Sequence, residues 1–316
     1  MTWKNRALIR YRKLDSDHFA SKAGIKIRRI IHPAVHLIIR AASDRPIEVI
    51  EYPNLVKGER YIFAAGHSFP GEIASNLAVI DRNAWVLIGT TDQVDHNPQM
   101  NFAWFNGLIY VNKLDPANRK DAFRKMKRIL ENGSSVLMFP EGVLNNSENS
   151  LCMPLYPGVY HLAVETETKV VPIVSHAEHG DKRIRVAAGK PIDFNGKTKE
   201  SALVELRNAL ATIRYQMIEK SEPLKRASLS GDIHEQYLYH RRDTYLETKW
   251  VEPNWDEEIM VYKRKGVTEP EEVRAALADV NLTADNISIL RPIFQKAEAD
   301  KKYNITLFMK SNWNAK

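Results

Sequence analysis

Short apolar runs that alternate with helix-like stretches occupy residues 60–190, and this alternation constrains the fold more than any other feature. Each run has the length of a strand, whereas stretches such as 116–133 and 158–167 carry a helical pattern. Because parallel strands need a crossover between them, the alternation predicts an α/β fold with a mostly parallel sheet flanked by helices. The predicted strands are RYIFAA (60–65), AWVLIGT (84–90), GLIYVN (107–112), SSVLMFP (134–140), KVVPIVS (169–175) and KRIRVAAG (182–189).

Composition divides the chain into three regions. Residues 1–45 are rich in Lys and Arg and predict an N-terminal amphipathic helix. Residues 46–221 hold the α/β pattern and close with a predicted helix at 199–221. Residues 222–316 concentrate Trp and Tyr and predict a small C-terminal α+β extension, whose role the sequence does not reveal. The length is enough for one large hydrophobic core of about 200 residues with extensions.

The overall charge and the cysteine content limit the partners and the compartment. A net charge of +7 suits an anionic partner, such as nucleic acid, a membrane surface or an acidic carrier protein. The single cysteine, Cys152, excludes an internal disulfide framework and fits a reducing compartment. The sequence has no apolar run of the roughly 18–20 residues that a membrane span needs. The polar, basic N-terminus also lacks the apolar core of a secretory signal. We therefore expect a cytoplasmic protein.

The N-terminal helix has two open interpretations. Its apolar residues can share one stripe beside basic side chains, as in helices that lie in a membrane interface, but the same pattern fits a helix packed on the domain. Pro33 is expected to end or kink it. His32 and His36 have a metal-ligand spacing, but no third ligand lies nearby, so no metal site is predicted. The stripe comprises Ile25, Ile30, Ile31, Val35, Leu37 and Ile38, flanked by Lys26, Arg28, Arg29 and Arg40.

The stretch GHSFPGE (66–72) offers two candidate catalytic residues after the first predicted strand. Ser68 would be the nucleophile of a hydrolase elbow, G-x-S-x-G, although Pro70 stands where the close strand–helix approach favours glycine. Alternatively, His67 is a general base and Glu72 orients it. Residues five apart in a regular helix point about 140° away from each other, so this pair converges only if a turn lies between them.

Three further stretches carry polar or unusual residues at predicted strand ends. GLIYVNK (107–113) ends in Lys113, FPEG (139–142) follows a strand, and VVPIV (170–174) has a proline inside an apolar run. Open α/β sheets place their sites at the carboxyl ends of strands. The proline is typical of an edge strand or a bulge. Singly, each stretch has an ordinary structural explanation.

Together and in this order, the motifs resemble those of the glycerolipid acyltransferases of the lysophosphatidate acyltransferase family. That family carries His-x4-Asp, then G-x-I-x-x-x-R, then F-P-E-G, then V-P-I. The resemblance covers about residues 45–215 and departs from the pattern at Glu72 for Asp, Lys113 for Arg and Val143 for the usual Thr. The matching positions are His67, Gly107, Ile109, Phe139, Pro140, Glu141, Gly142, Val171, Pro172 and Ile173.

The resemblance implies an acyltransferase with the glycerol-3-phosphate acyltransferase-like fold. A fatty acyl group would move from acyl-CoA or acyl-carrier protein to a hydroxyl of a lysophospholipid, with His67 as general base and Glu72 as its partner. No metal or tightly bound cofactor is implied. The enzyme would act peripherally at the inner membrane face. The implied substrate-binding residues are Gly107, Lys113, Phe139, Pro140, Glu141 and Gly142, with Glu141 contacting an acceptor hydroxyl or orienting a cation.

Other functions remain open from the residues. A Ser68 hydrolase needs a later acid and histidine; the stretch SHAEHGD (175–181) offers His176, His179 and Asp181, but nothing in the sequence connects them to the elbow. A lipid- or carrier-binding protein that kept the fold and lost activity would explain the change to Glu72. Nucleic-acid binding is not expected, because the aromatic-rich stretch 237–262 matches no recognisable module.

Overall fold

The computed structural model describes residues 14, 16–41, 43, 45–68, 71–89, 105–142, 144–145, 151–177 and 182–220. The C-terminal extension expected at 222–316 lies outside these ranges. The helices of the described part are α1 Ser16–Phe19, α2 Lys22–Ala41, α3 Glu72–Val79, α4 Pro116–Glu131, α5 Gly158–Glu165 and α6 Lys199–Glu219. Its strands are β1 Ile47–Glu51, β2 Ile62–Ala65, β3 Ala84–Ile88, β4 Leu108–Tyr110, β5 Ser135–Met138, β6 Val170–His176 and β7 Ile184–Ala188.

The described strands form one seven-stranded sheet in the order β1-β7-β6-β2-β5-β3-β4. Strands β6, β2, β5, β3 and β4 are mutually parallel, whereas β7 is antiparallel to β6 and carries β1 parallel to itself. The mostly parallel sheet with flanking helices is therefore confirmed, and all six predicted strands are present. Sequence patterning missed β1, whose IEVIE run is short, charged and only partly buried because it pairs on one side alone.

Helices cover both faces of the sheet, because successive strand residues point to opposite sides. On one face Ile62, Trp85 and Val136 pack with α4, α5 and α6. On the other face Phe63, Val86 and Leu137 pack with α3 and the end of α2. Asp115 caps α4 by accepting from the Ala117 N–H, at 2.9 Å, and Thr198 caps α6. These layers hold the carboxyl ends of the parallel strands at one edge.

Helix α2 packs on the domain along one stripe and keeps a second apolar stripe exposed. Ile25, His32 and Ile39 lie seven residues apart and are buried against the domain. A second apolar stripe stays exposed on the same helix, at Ile27, Ile30, Ile31, Leu37 and Ile38. The helix also continues through Pro33, so the expectation that it ends there is wrong; exposed Pro33 leaves the unpaired carbonyl of the preceding turn close to water. Among the described helices, none has the length and apolar character needed to cross a bilayer.

Pro172 lies in β6, a central strand between β7 and β2, so its assignment to an edge strand is wrong. The alternative of a bulge fits the strand pairing. Between the pairs Ile173–Ala188 and Val170–Ile192, β6 advances by three residues, whereas the segment that starts at the end of β7 advances by four. The Pro172 carbonyl accepts from Gly189 N–H at 2.9 Å, just beyond the end of β7. Since the N–H and C=O of one strand residue point to the same side, the missing donor falls where the β6–β7 ladder becomes irregular.

Candidate active site

His67 lies two residues beyond β2, in a loop that leaves the carboxyl edge of the sheet. The loop is held from three sides: Gly66 N–H donates to Ile173 O at 3.0 Å, Asn145 N–H donates to His67 O at 2.6 Å, and His67 N–H donates to the Glu141 carboxylate at 2.8 Å. The imidazole itself is half-buried, and its ring centroid lies 4.7 Å from that of Phe139. The main chain is thus fixed while one side of the ring stays accessible.

His67 and Glu72 converge as the sequence predicts. Glu72 is the first residue of α3, and Gly71 before it adopts φ +98°, a left-handed conformation that turns the chain back. His67 Nδ1 hydrogen-bonds to Glu72 Oε1, and Ser68 N–H donates to Glu72 Oε2 at 2.7 Å. Glu72 is 1% exposed, so the carboxylate is a buried partner of a more accessible imidazole. This contact leaves Nε2 as the ring nitrogen available to a substrate.

Ser68 is oriented away from the imidazole. Its hydroxyl donates to Ser175 O at 3.0 Å, at the end of β6. Ser175 in turn donates to Asn76 Oδ1 at 2.7 Å, which ties the strand to α3. A serine nucleophile would need its hydroxyl proton directed at a base. Of the other residues considered for a hydrolase, His176 is buried at the end of β6, while His179 and Asp181 lie outside the described residues.

Glu141 lies beneath the site rather than at its open face. The side chain is 0% exposed; Oε1 accepts from His67 N–H and Oε2 accepts from Met153 N–H, both at 2.8 Å. Complete burial raises the pKa of Glu141, while the two N–H groups and the charge of Arg214 on α6 act in the opposite direction. Glu141 therefore joins the β2 loop to the segment after β5.

The remaining FPEG residues shape a turn beside Lys113. Gly142 adopts φ +84°, and a Cβ there would come within 2.5 Å of the Tyr156 ring, so any other residue would be strained and crowded. Tyr156 N–H donates to Pro140 O at 2.7 Å. Lys113 Nζ donates to Gly142 O at 2.8 Å, which places the ammonium group next to this turn.

Gly107 stands apart from the other motif residues. It precedes β4 and so lies at the amino edge of the sheet, opposite the loop that carries His67. Its φ of +115° and its contact with the Trp85 ring leave no room for a side chain. The structure brings together His67, Glu72, Phe139, Pro140, Glu141, Gly142 and Lys113, and it adds four residues that motif reading missed: Asn145, Met153, Ser175 and Arg214. Only Ser175 had a sequence signal, its place near a strand end.

His32 and His36, one helical turn apart on α2, have structural roles. Their rings stack at 5.4 Å between centroids, and His36 Nε2 lies 2.9 Å from Ala78 O at the end of α3. Burial, followed by the proximity of His36, lowers the pKa of His32 to about 4. Within the described ranges, no group of three or more His, Cys, Asp or Glu residues could hold a metal ion.

A buried carboxylate on a half-buried imidazole, at the carboxyl edge of an α/β sheet, is an arrangement suited to general-base catalysis of acyl and other group transfer. Comparisons with known proteins indicate which class of group-transfer protein this chain resembles. Residues 46–176 match the model of the Acyltransferase family. This segment is an acyltransferase-family domain, and the resemblance seen in the motifs is confirmed.

Two curated relatives are similar to part of the chain. One is a 1-acyl-sn-glycerol-3-phosphate acyltransferase of Haemophilus influenzae, 31% identical over 129 residues, covering 37% of this chain and 50% of the relative. Another is an uncharacterized acyltransferase of Schizosaccharomyces pombe, 30% identical over 132 residues, covering 37% of this chain and 47% of the relative. The chain thus matches about half the length of these relatives.

A solved structure shares the fold. The 1-acyl-sn-glycerophosphate acyltransferase PlsC of Thermotoga maritima superposes with a TM-score of 0.50 at 15% identity, covering 70% of this chain and 90% of that one. This likeness shows the architecture and leaves the substrates to be argued from the site itself.

Proposed function

We propose that this protein transfers a fatty acyl group from an acyl thioester to the hydroxyl of a lysophospholipid-type acceptor. The observation that carries the proposal is the His67–Glu72 pair, which engages Nδ1 and leaves Nε2 for the acceptor. The donor would be acyl-CoA or acyl-carrier protein. The similarity to a 1-acyl-sn-glycerol-3-phosphate acyltransferase supports a glycerolipid acceptor.

The step balances without a cofactor. The acceptor hydroxyl gives its proton to His67 Nε2 as its oxygen attacks the thioester carbonyl, and the buried Glu72 carboxylate stabilises the imidazolium that forms. When the tetrahedral intermediate collapses, the C–S bond breaks and the imidazolium returns the proton to the departing thiolate. A new ester and a free thiol result. General-base catalysis of this kind contributes roughly 10²–10⁴-fold.

Lys113 and Glu141 would take different roles. The Lys113 ammonium lies beside the FPEG turn, where it donates to Gly142 O, and its positive charge suits an anionic acceptor head group. Glu141 would act as a positioning residue, because its carboxylate holds the His67 main chain instead of facing the open side of the site.

We also propose that α2 rests on the cytoplasmic face of a membrane, where a lysolipid acceptor would be found. Ile30 and Leu37 are 68% and 69% exposed, and Lys26, Arg29 and Arg40 are exposed on the same helix. Apolar side chains beside cations favour an interface that contains anionic lipid. Co-sedimentation with anionic vesicles measures this contact.

The deciding experiment uses a labelled long-chain acyl thioester and a mixed pool of lysolipids, with free fatty acid quantified alongside. Wild type should produce labelled lipid; His67→Ala should lower the rate by about 10²–10⁴-fold with folding intact, and Ser68→Ala should retain most of it. Free fatty acid as the main product, lost with Ser68→Ala, would establish the hydrolase instead. If wild type binds the substrates but turns over none of them, the protein is a binding protein that kept the fold.

A further inference from the structure

A concentration of positive charge follows directly on the site. Between residues 113 and 128 the sequence has seven Lys and Arg residues against two carboxylates. This segment runs from Lys113, beside the FPEG turn, through most of α4. A protein with a net charge of +7 thus places much of its excess charge in one helix.

Several of these charges are engaged within the fold. Asp115 caps α4, and Asp121 forms a 2.8 Å ion pair with Lys125, which is 3% exposed and lies over the Phe19 ring. Arg128 Nε donates to Ala20 O, and Lys127 Nζ lies 3.0 Å from Glu165 on α5. Both carboxylates of the segment therefore have structural roles, and so do three of the cations.

The remaining cations of α4 form an exposed face, defined here as Arg119, Lys120 and Arg124 and called the α4 cationic face. Arg124 is 54% exposed, and its ion pair with Asp121, within the described part of the chain, is long at 3.5 Å. Lys120 and Arg124 are four residues apart and so share one side of the helix. Arg119 donates to Lys113 O, and Lys113 donates to Gly142 O next to Glu141. The face therefore begins at the site and extends about 7.5 Å along α4.

We propose that the α4 cationic face docks an acidic acyl carrier protein, the thioester donor of the reaction. This inference rests on the proposed function, since a donor must bind within reach of His67 for its acyl group to react. A row of cations on a convex helix surface complements an acidic helix of a protein partner. The phosphates of a nucleotide, in contrast, are compact and call for a concave site. The docking is electrostatic and is weakened by salt, because the Debye length is only about 8 Å at physiological ionic strength.

The test compares two charge reversals of equal size. Lys120→Glu with Arg124→Glu alters the α4 cationic face; Lys57→Glu with Lys169→Glu alters exposed cations that precede β2 and β6, at the opposite edge of the sheet. The full chain is assayed with one hexadecanoyl group on three donors: an acidic acyl carrier protein, CoA, and N-acetylcysteamine, which lacks phosphate. Binding of the holo carrier protein is measured separately, at low and at high salt.

We expect the α4 reversal to raise the KM for the carrier-borne donor about tenfold and to weaken carrier binding similarly, while the KM for the N-acetylcysteamine thioester stays unchanged. The control reversal should leave all values within about twofold. Unchanged carrier binding in the α4 variant overturns the proposal, as does an equal loss in the control. A rise confined to CoA assigns the face to nucleotide phosphates, and a loss of vesicle binding alone assigns it to lipid; both outcomes overturn it. If wild type uses none of the donors, the proposed function fails, and carrier binding still decides the docking.

Discussion

Helices α3 and α2 pack against each other, yet they depart from ordinary burial in opposite directions. Helix α3 buries Glu72, Ser75 and Asn76, polar residues that usually stay in contact with water. Helix α2 exposes Ile27, Ile30 and Leu37, each by more than half. The first departure is compensated by hydrogen bonds to the β2 loop and to Ser175. The second has no such compensation among the described residues.

The difference separates two kinds of functional surface. A buried polar group is tolerated only when it is hydrogen-bonded. The buried polar residues of α3 therefore help to hold the loop that carries His67 in place. An exposed row of large apolar residues costs little structurally and gains free energy only when something covers it. This difference supports the proposals that α3 positions the His67 loop for chemistry and that α2 contacts a surface.

The largest effect is expected where α3 meets the imidazole. Glu72→Gln should lower kcat about 10³-fold with folding intact, because an amide cannot fix the neutral tautomer and stabilise the imidazolium as a carboxylate does. Glu72→Asp keeps the charge on a shorter side chain and should cost only about tenfold. Steady-state kinetics and circular dichroism measure both. A Gln variant as active as wild type would remove Glu72 from the mechanism.

A smaller loss is expected from the buried partner of the loop. Glu141→Gln replaces a carboxylate, whose two oxygens each accept from a main-chain N–H, by an amide with one oxygen and one NH₂ group. The NH₂ group then faces one of the two N–H donors, which loses its acceptor. We expect kcat to fall about 10²-fold while the acceptor KM stays within about twofold, because Glu141 positions His67. Glu131→Gln, an exposed position at the end of α4, is the matched control. A raised acceptor KM with unchanged kcat would restore the sequence-based assignment of Glu141 to an acceptor hydroxyl.

On α2 the comparison is tested by removing apolar surface. Ile30→Gln with Leu37→Gln should lower partitioning onto anionic vesicles about tenfold, which corresponds to about 1.4 kcal/mol. This is less than the roughly 1.5–3 kcal/mol that full burial of each side chain contributes, because a side chain in the interface is buried only in part. The free energy of unfolding should change by less than about 0.5 kcal/mol, because both positions are exposed. Val49→Gln with Val56→Gln removes exposed apolar surface elsewhere and serves as the control. Equal losses in both double variants would show that α2 has no special role.

The smallest effect concerns the contact between the two helices. The pKa of His32 is lowered to about 4 in the fold, so the unfolded chain binds more protons than the folded one below about pH 6.5. Stability should therefore decrease as the pH falls from about 6.5 to about 4, by about 1 kcal/mol at pH 5.5 after allowing for solvent screening. Denaturant unfolding of wild type and His32→Phe at pH 8 and pH 5.5 measures this, with exposed His161→Phe as control. An identical pH dependence in all three proteins would contradict it.

How far sequence reasoning reached depends on whether a feature is local. Predicted strands and helices matched because their apolar patterns are local. The His67–Glu72 pair could be inferred because both members lie within the short stretch GHSFPGE (66–72). Glu141 was found as a motif residue, but its hydrogen bonds to two main-chain N–H groups were not, because the two donors lie 74 and 12 residues away. Gly107 matched the second motif, but it lies at the opposite edge of the sheet from His67, against the Trp85 ring.

By itself the sequence determined the strand–helix alternation, the order of the motifs and the basic character of α2 and α4, because each is written in neighbouring residues. Tertiary structure alone decided the strand order, the central place of Pro172 in β6 and the side of α2 that stays exposed. It also decided that Glu141 faces inward. These properties depend on contacts between segments far apart in the chain, where packing and hydrogen-bond satisfaction choose among arrangements that local patterns leave equivalent.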